Sequence, residues 1–381
     1  MSVEKFIVFG RPHFGEEETN EVVDSIKSGW IGTGPKVKLF EERFKEYENS
    51  RYAVAVNSCT SALHLSIIVA GIGDQDEVIT TSMTFCSTVN AIIHSGATPV
   101  IVDCDRETYC IDTAQIEAKI TNKTKAIIPV HFAGNACEMD KLMKIARKYN
   151  LKVIEDCAHA IETTYSGKHV GTIGDFGCFS FYVTKNLTTG EGGMVLTEDE
   201  NHANKLKIMA LHGLSRDAWH RFSDTGYKHY DVMAAGFKYN MMDIQAAMGL
   251  HQLAKIEPSW QRRKEIWDRY QKELRGLPIK LPAEPAKNVK HGYHLFPVLI
   301  QDESGITRDG FLNYMQKNNI GVGVHYQAIP SHTFYREKYG WIEEDYPNSK
   351  EIGEKTVSIP LSPGLSNGEV DYIINTIKNC F

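Results

Sequence analysis

Short apolar runs rich in β-branched residues alternate with helix-like segments along the first two thirds of the chain. The strand-like runs cover residues 52–56, 98–102, 125–130, 152–154, 178–181 and 194–197. The helical patterns cover residues 62–70, 113–120, 139–149 and 244–255. Alternation of this kind predicts an α/β fold, in which helices cover both faces of a mostly parallel sheet.

The last third of the chain has a different pattern. Pro258 follows a helical segment and marks a natural boundary, after which a long polar helix is predicted over residues 260–274. The segments beyond it are a strand at 293–300, a helix at 308–318 and a final helix at 369–378. We therefore predict a large domain of residues 1–257 and a smaller C-terminal α+β domain of residues 258–381.

Composition excludes several classes of protein. The 381 residues carry a net charge of −6 and no basic cluster interleaved with aromatic residues, which argues against nucleic-acid binding. No apolar run reaches the roughly 20 residues of a membrane helix, and the N-terminus lacks the features of a secretory signal. The eight cysteines show neither a CxxC motif nor a zinc-type Cys/His grouping. We expect a cytoplasmic protein with reduced thiols and no metal.

A lone lysine, Lys185, follows an apolar aromatic strand and precedes a turn rich in hydroxyl groups and glycine. Burying an ammonium group is costly and lowers its pKa. A lysine with a lowered pKa is nucleophilic enough to form a Schiff base. The alternative is a loop lysine whose charged end reaches solvent, and these residues alone leave both interpretations open.

A second candidate segment, residues 151–160, is a short apolar strand that ends in two acids, with His159 three residues after Asp156. Carboxylates at the carboxyl ends of parallel strands lie beside the crevice that binds ligands. A carboxylate that keeps a pyridine-type nitrogen protonated, with a lysine that carries an aldehyde, allows pyridoxal phosphate (PLP) to act as an electron sink. Asp156 could instead cap a helix, and His159 could be a hydrogen-bonded core residue.

These two segments belong to a set of motifs that extends from near the first residue into the last third. The set covers residues 28–35, 57–63, 76–80, 155–159, 180–194, 236–243 and 321–326. Through it the chain resembles the DegT/DnrJ/EryC1/StrS family of PLP-dependent aminotransferases, which aminate keto-sugars attached to nucleotides. Within the family it is most similar to the UDP-4-amino-4-deoxy-L-arabinose aminotransferases, by residues 212–218, 294–296 and 334–339.

The resemblance implies an aspartate-aminotransferase-like fold (PLP fold type I), with a mostly parallel seven-stranded sheet in the large domain. It also implies a homodimer in which both subunits build each site. The expected partners are a nucleotide-sugar substrate and L-glutamate, without nucleic acid or membrane.

The phosphate of the cofactor needs hydrogen-bond donors, and residues 57–61 supply them where a helix begins after a strand. An ordinary Ser/Thr helix cap is the alternative. By resemblance, Thr60 and Ser61 bind the phosphate and Ser180 adds a hydroxyl group. Asn240 is expected to reach the same phosphate from the partner subunit.

The resemblance also assigns the remaining site residues. Phe85 matches an aromatic position that stacks on the pyridine ring, although the arabinose-type relatives have tryptophan there and a core phenylalanine is the alternative. His159 is placed near the hydroxyl group of the cofactor in a supporting role. The residues expected to line the sugar-nucleotide pocket are Trp30, His325 and Tyr326, with the neighbouring Tyr335 and Arg336.

The implied reaction is a transamination. Lys185 holds PLP and moves a proton between the α-carbon of the donor and C4′ of the cofactor, while Asp156 keeps the pyridine nitrogen protonated. The expected acceptor is a UDP-linked 4-keto sugar, with the pentose first, in glycan or lipopolysaccharide sugar biosynthesis. The alternatives are a GDP- or dTDP-linked 4-keto-6-deoxyhexose, a 3-keto sugar, or a regulatory module that keeps the fold without the reaction. A dinucleotide-binding GxGxxG motif is missing after the first strand, which disfavours a dehydrogenase.

Overall fold

The structure is a computed structural model, which describes residues 5–215 and 230–381. The first nine strands are β1 (Tyr52–Val56), β2 (Glu77–Thr81), β3 (Thr98–Val102), β4 (Thr124–Ile128), β5 (Lys152–Asp156), β6 (Thr164–Tyr165), β7 (Lys168–His169), β8 (Phe176–Ser180) and β9 (Gly193–Thr197). Seven of them form the central sheet, in the order β1-β9-β8-β5-β4-β2-β3. The other two, β6 and β7, form a short antiparallel hairpin.

The central sheet is mostly parallel. Adjacent strands from β3 across to β8 run parallel, and β9 alone runs antiparallel to its neighbours β8 and β1. Every residue of β8 and β9 is buried, which is typical of central strands covered on both faces. The predicted α/β fold with a mostly parallel seven-stranded sheet is therefore confirmed.

Helices cover the sheet on both sides. The helices of this part are α1 (Glu16–Ser28), α2 (Pro35–Glu48), α3 (Cys59–Val69), α4 (Cys86–His94), α5 (Thr113–Ile116), α6 (Met139–Tyr149), α7 (Glu200–Ala210) and α8 (Asp243–Ala254). Helix α3 is buried on nearly all sides, since it packs against the sheet with α4 and α7 on its flanks. Helix α6 is amphipathic and buries Met139, Leu142 and Ala146.

The C-terminal part has its own apolar core. Its elements are α9 (Ile256–Glu273), β10 (Ile279–Lys280), β11 (Val289–Lys290), β12 (Phe296–Ile300), α10 (Arg308–Lys317), α11 (Thr333–Tyr339), α12 (Pro347–Lys355), β13 (Thr356–Ile359) and α13 (Asn367–Lys378). Strands β10, β12 and β13 form an antiparallel sheet, and β11 pairs with β6. The core of this part includes Trp267, Phe296 and Phe311.

Two predicted boundaries in this part were wrong. Helix α9 begins at Ile256, before Pro258, because proline is tolerated in the first turn of a helix, where its missing N–H has no intrahelical acceptor. The strand predicted from residue 293 begins at Phe296, since Tyr293 has a φ of 46° that a strand cannot adopt. The division into domains at residue 257 stays a prediction.

The carboxyl ends of the parallel strands position the candidate residues. Strand β1 leads into α3, β2 leads to Phe85 at the start of α4, β5 ends at Asp156 and β8 ends at Ser180, five residues before Lys185. These ends lie along one edge of the sheet, where α/β proteins bind their ligands.

Candidate active site

Lys185 lies in a half-buried turn after β8, and its backbone N–H donates to the carbonyl of Tyr182 at 2.9 Å. Burial lowers the pKa of Lys185 to about 8, while the charge of Asp156 and the nearby Cys59 oppose the shift. A larger fraction of this lysine is therefore a neutral amine at physiological pH than is usual for a lysine. Such an amine can act as a nucleophile or as a proton acceptor.

Asp156 is only 3% exposed. Its Oδ2 accepts a hydrogen bond from Thr88 Oγ1 at 2.8 Å, and its Oδ1 accepts one from the backbone N–H of Ala158 at 3.1 Å. Burial raises the pKa of Asp156, and these hydrogen bonds together with the charge of Lys185 hold it down. The next regular element along the chain is strand β6, so Asp156 does not begin a helix.

His159 is buried and bonded at both ring nitrogens. Its Nδ1 accepts the backbone N–H of Ala133 at 3.2 Å, and its Nε2 lies 2.9 Å from the hydroxyl oxygen of Tyr326. Burial and the charge of Lys185 lower the pKa of His159 well below its usual range, so the ring is neutral. Because Nδ1 accepts, Nε2 carries the hydrogen and donates it to Tyr326. Ala133 presents its N–H from a left-handed conformation with φ of 58°.

Three further predicted residues lie around His159. Tyr326 stacks near it at 5.9 Å between ring centroids, and the Phe85 ring is 5.6 Å from the Tyr326 ring. Phe85 is 54% exposed, so it is not a core phenylalanine. His325 stacks on Phe9, its Nδ1 lies 3.0 Å from Ser358 Oγ, and burial lowers the pKa of His325 to about 3.

Ser58 caps helix α3 and begins the predicted phosphate segment. Its Oγ accepts the backbone N–H of Ser61 at 3.1 Å, and the Ser61 hydroxyl donates to Asn57 Oδ1 at 2.6 Å. Thr60 is half-buried at the same helix start. The helix start packs so closely on β9 that a Cβ on Gly193 would lie 2.5 Å from the Ser58 carbonyl carbon. The segment is thus a rigid helix cap that also offers hydroxyl groups and free N–H groups to an anion.

Asn240 and Trp30 form a separate group from the residues around Lys185. Asn240 Nδ2 donates to Thr33 Oγ1 at 2.6 Å, and its Oδ1 is buried with no hydrogen-bond partner in the described part of the chain. Its backbone bridges to Val56 at the end of β1. Trp30 is 54% exposed on the surface. Asp243, at the start of α8, holds the start of α2 in place, because its carboxylate accepts backbone N–H groups there.

The other predicted pocket residues, Tyr335 and Arg336, have hydrogen-bond partners within the chain. Tyr335 is 3% exposed, and its hydroxyl donates to Asn90 Oδ1 on α4 at 2.8 Å. Arg336 is exposed and donates to the carbonyl of Ser331 at 3.2 Å. Residues 216–218 of the motif at 212–218 lie outside the described residues.

Residue patterns did not identify two contacts that shape the site. Thr88 on α4 holds Asp156, and its hydroxyl is also 2.8 Å from that of Thr84. His294 is 7% exposed and lies with its ring 4.5 Å from the His159 ring. His294 lay within the segment predicted as a strand at 293–300, and it entered only as part of a subgroup motif.

One buried group among the described residues has metal-ligating atoms close together, namely His131, Glu155 and Cys157, within 4.8 Å. The imidazole of His131 and the carboxylate of Glu155 already have partners within the fold. His131 Nε2 lies 3.0 Å from Glu155 Oε2, and Glu155 Oε1 accepts the backbone N–H groups of Ile173 and Gly174. None of the helices in the described ranges has the length and apolar character to cross a bilayer.

The residues present fit PLP. An aldehyde needs an amine of lowered pKa, the pyridine nitrogen needs a carboxylate, and a phosphate needs a helix start with hydroxyl groups. Lys185, Asp156 and the start of α3 provide these three groups at one edge of the sheet.

Comparison with known proteins agrees with this fit. The model of the DegT/DnrJ/EryC1/StrS aminotransferase family matches residues 12–378. Protein MJ1066 of Methanocaldococcus jannaschii is 50% identical over 379 residues, which cover 99% of this chain and 98% of that protein. The spore coat polysaccharide biosynthesis protein SpsC of Bacillus subtilis is 43% identical over 376 residues, which cover 98% of this chain and 97% of that protein.

Solved structures of similar proteins extend over almost the whole chain. Spr1654 of Streptococcus pneumoniae, assigned as a sugar aminotransferase and solved in its PLP form, matches with a TM-score of 0.91 and 36% identity, covering 98% of each chain. Helicobacter pylori PseC, an aminotransferase involved in pseudoaminic acid biosynthesis, matches with a TM-score of 0.91 and 28% identity over 99% of each chain. The chain therefore belongs to the DegT/DnrJ/EryC1/StrS aminotransferase family and is a PLP-dependent sugar aminotransferase.

Proposed function

We propose that this chain transfers the amino group of L-glutamate to C4 of a UDP-linked 4-keto sugar, with the pentose as the first candidate. The observation that carries the proposal is the pairing of Lys185, whose pKa is lowered to about 8, with the buried Asp156 at one edge of the sheet. The pentose is chosen because residues 294–296 and 334–339 resemble those of the arabinose-type aminotransferases.

Lys185 and Asp156 have different proposed roles in the reaction. When bound, PLP supplies an electron sink for the charge that develops at the α-carbon of the donor. Lys185 would hold the aldehyde carbon of PLP through Nζ, and its amine would move a proton between the α-carbon and C4′. Asp156 holds a proton on the pyridine nitrogen, because a buried carboxylate stabilises the positive charge there.

Other residues orient the cofactor. Thr60 and Ser61 at the start of α3, with Ser180 at the end of β8, are proposed to bind the phosphate. Phe85 is proposed to cover one face of the pyridine ring, and its 54% exposure supports this, because one side of the ring is free. His159 is proposed to lie near the hydroxyl side of the cofactor in a supporting role, since its ring nitrogens are bonded to Ala133 and Tyr326.

His325, Tyr326 and Trp30 are proposed to bind the sugar nucleotide. The rings of His325 and Tyr326 are 5.1 Å apart, and both side chains are half-buried. Their position beside His159 supports this role. The names of SpsC and PseC place those two proteins in the biosynthesis of a polysaccharide and of pseudoaminic acid. We propose a role for this chain in glycan or lipopolysaccharide sugar biosynthesis in the cytoplasm, and that similarity supports the part in sugar biosynthesis.

We also propose a homodimer in which Asn240 reaches the phosphate of the partner's cofactor and Trp30 lies at the mouth of the partner's site. The exposed apolar surface of Trp30, Ile31 and Met242 supports the dimer, and Asn240 Nδ2, which donates one hydrogen to Thr33, has a second hydrogen for the phosphate. Mixing the variants Lys185→Ala and Asn240→Ala tests it. Shared sites give mixed dimers with one intact site, so activity rises above that of either variant, whereas separate sites give no rise.

The experiment for the reaction combines the protein with PLP, L-glutamate and a panel of nucleotide sugars, and follows 2-oxoglutarate. The panel contains UDP-, GDP- and dTDP-linked 4-keto sugars and a 3-keto sugar, and Lys185→Ala is the matched control. Turnover on the UDP-4-keto pentose supports the proposal. Preference for a GDP- or dTDP-linked 4-keto-6-deoxyhexose would replace the proposed substrate, and no turnover on any member would contradict the substrate class.

A further inference from the structure

A chain of buried polar groups connects helix α9 with His294. Arg263 and Glu162 form an ion pair in which both side chains are almost fully buried. Glu162 Oε2 accepts a hydrogen bond from Asn186 Nδ2 at 2.8 Å, and the same nitrogen donates to the carbonyl of Gly292 at 2.9 Å. The other end of this amide, Asn186 Oδ1, lies 2.9 Å from His294 Nδ1.

These contacts determine the orientation of the amide and the tautomer of the imidazole. Asn186 must place its nitrogen toward Glu162 and Gly292, since a carboxylate and a carbonyl only accept hydrogen bonds. The oxygen that faces His294 also only accepts, so His294 Nδ1 carries the hydrogen. In the neutral ring, Nε2 then keeps its lone pair. Within residues 5–215 and 230–381, Nε2 has no hydrogen-bond partner.

His294 is connected to the segment that carries the reacting amine. Asn186, which binds His294, directly follows Lys185 in the chain, and the His294 ring is 4.5 Å from the ring of His159. Burial lowers the pKa of His294 well below its usual range, and the charge of Lys185 is the next cause of this shift. The imidazole is therefore neutral and can accept a hydrogen bond. The positive charge of Lys185 is near enough to lower its pKa.

We propose that His294 is a further positioning residue of the active site: rotation of the Lys185 side chain from its position in this structure lets Nε2 accept a hydrogen bond from the ammonium when that nitrogen is free of the cofactor. This inference depends on the proposed role of Lys185. The bond orients Nζ for the proton transfer and stabilises its charged form, because hydrogen bonds to charged groups are stronger than neutral ones.

Two cationic donors, Lys185 and Arg263, are among the groups around His294, and we assign Lys185 because Asn186, the next residue in the chain, binds His294. The titratable and charged groups that face His294 are Lys185, His159, His325, His291 and Arg263. The three other histidines are neutral because burial lowers their pKa values. Arg263 binds Glu162 through Nη2 at the opposite end of the hydrogen-bonded chain, and its Nε and Nη1 are buried without a partner among the described residues.

The test measures the pKa of Lys185 in the cofactor-free protein, from the pH dependence of its labelling by an amine reagent, read by mass spectrometry. In His294→Leu the pKa of Lys185 should fall by about 1 unit, because a hydrogen bond to the ammonium form is lost. His294→Gln should restore most of the shift, since its amide oxygen can accept the same bond.

His291→Leu is the matched control. His291 is also a buried, neutral histidine of the same segment, but its Nδ1 accepts the backbone N–H of Tyr293 at 2.9 Å and its ring packs on Trp267 at 5.0 Å. The pKa of Lys185 should stay unchanged in this variant. An unchanged pKa in His294→Leu, or an equal fall in His291→Leu, overturns the proposal.

A measurement on the unaltered protein covers the case in which the leucine variants fail to fold. Nitrogen NMR of the cofactor-free protein labelled with ¹⁵N-histidine should show His294 neutral at pH 7, with the hydrogen on Nδ1 and none on Nε2. A hydrogen on Nε2 overturns the proposal. Neither measurement uses PLP or a sugar, so a failure here is distinct from failure of the proposed reaction, which the substrate panel tests.

Discussion

Replacing Asp156 with asparagine should make the folded protein more stable and the enzyme less active. The carboxylate is 3% exposed and burial raises its pKa, so the ionised form costs folding free energy at neutral pH. Asparagine has nearly the same shape. Its oxygen can accept the Ala158 N–H, and its nitrogen can donate to Thr88 Oγ1 when that hydroxyl donates to Thr84. We expect the free energy of unfolding of the cofactor-free Asp156→Asn protein to rise by about 1–2 kcal/mol. This value allows for the lost attraction between the carboxylate and Lys185.

The assay is thermal unfolding of both cofactor-free proteins between pH 7 and pH 4. The folded pKa of Asp156 lies above its ordinary value of 3.8, so the carboxyl group is protonated more readily in the folded state. Its destabilising charge is fully present above the folded pKa and disappears as the pH falls toward the unfolded value. The advantage of the variant should therefore be present at pH 7 and vanish toward pH 4. Transaminase activity should fall at every pH, because a neutral amide does not stabilise a protonated pyridine nitrogen.

Asp243→Asn is the matched control at a second buried carboxylate. Asp243 accepts backbone N–H groups from Gly34, Lys36 and Val37 at 2.8, 3.1 and 2.9 Å, so an amide loses an acceptor there. We expect this variant to lose about 0.5–2 kcal/mol. If Asp156→Asn is destabilised to a similar degree at pH 7, the carboxylate is favourable in the fold and the reasoning is wrong.

Two further variants test the packing around the site. Gly193→Ala places a methyl group 2.5 Å from the Ser58 carbonyl carbon, so the start of α3 must shift, and PLP affinity should fall about tenfold in an absorbance titration. Gly368→Ala, whose new methyl group meets no atom within 4 Å, is its control, and an equal loss there would contradict the reasoning. Arg263→Met leaves Glu162 buried without its ion-pair partner and should cost about 3–5 kcal/mol in urea unfolding, whereas an unchanged stability would show that the pair is dispensable.

Much of the sheet could be predicted from residue patterns. The runs at residues 52–56 and 98–102 coincide with strands β1 and β3, because β-branched residues there are bounded by turn residues. Strand β2 was not predicted as a strand. Two of its five residues are Thr80 and Thr81, which are buried although polar, and Thr80 Oγ1 is satisfied by the carbonyl of Ile128 on the neighbouring strand. Hydropathy alone does not reveal such tertiary partners.

The centre of the site was partly predictable. Lys185, Asp156 and His159 follow the ends of adjacent strands, so the sheet topology brings them to one edge. Thr88 and His294 approach from distant segments, and their roles depend on hydrogen bonds that exist only after the chain has folded. No regular spacing in the sequence connects them to Lys185.

Residues proposed to act across a subunit interface form a separate case. Trp30 and Asn240 lie together at the start of α2 because Thr33 and Asp243 bind that segment. Their roles toward PLP and substrate depend on a second subunit, which the pattern of one chain does not contain. Those roles, like the domain division at residue 257, stay predictions.

The central claim is that Lys185 carries PLP, and reduction of the loaded protein with borohydride tests it most directly. Borohydride fixes the cofactor to the nitrogen that holds it, and peptide mapping by mass spectrometry then locates the attachment. The account predicts the pyridoxyl mass on the peptide that contains Lys185 and its disappearance in Lys185→Ala. Attachment at a different lysine, or an unmodified Lys185 peptide in protein that binds PLP, would contradict it.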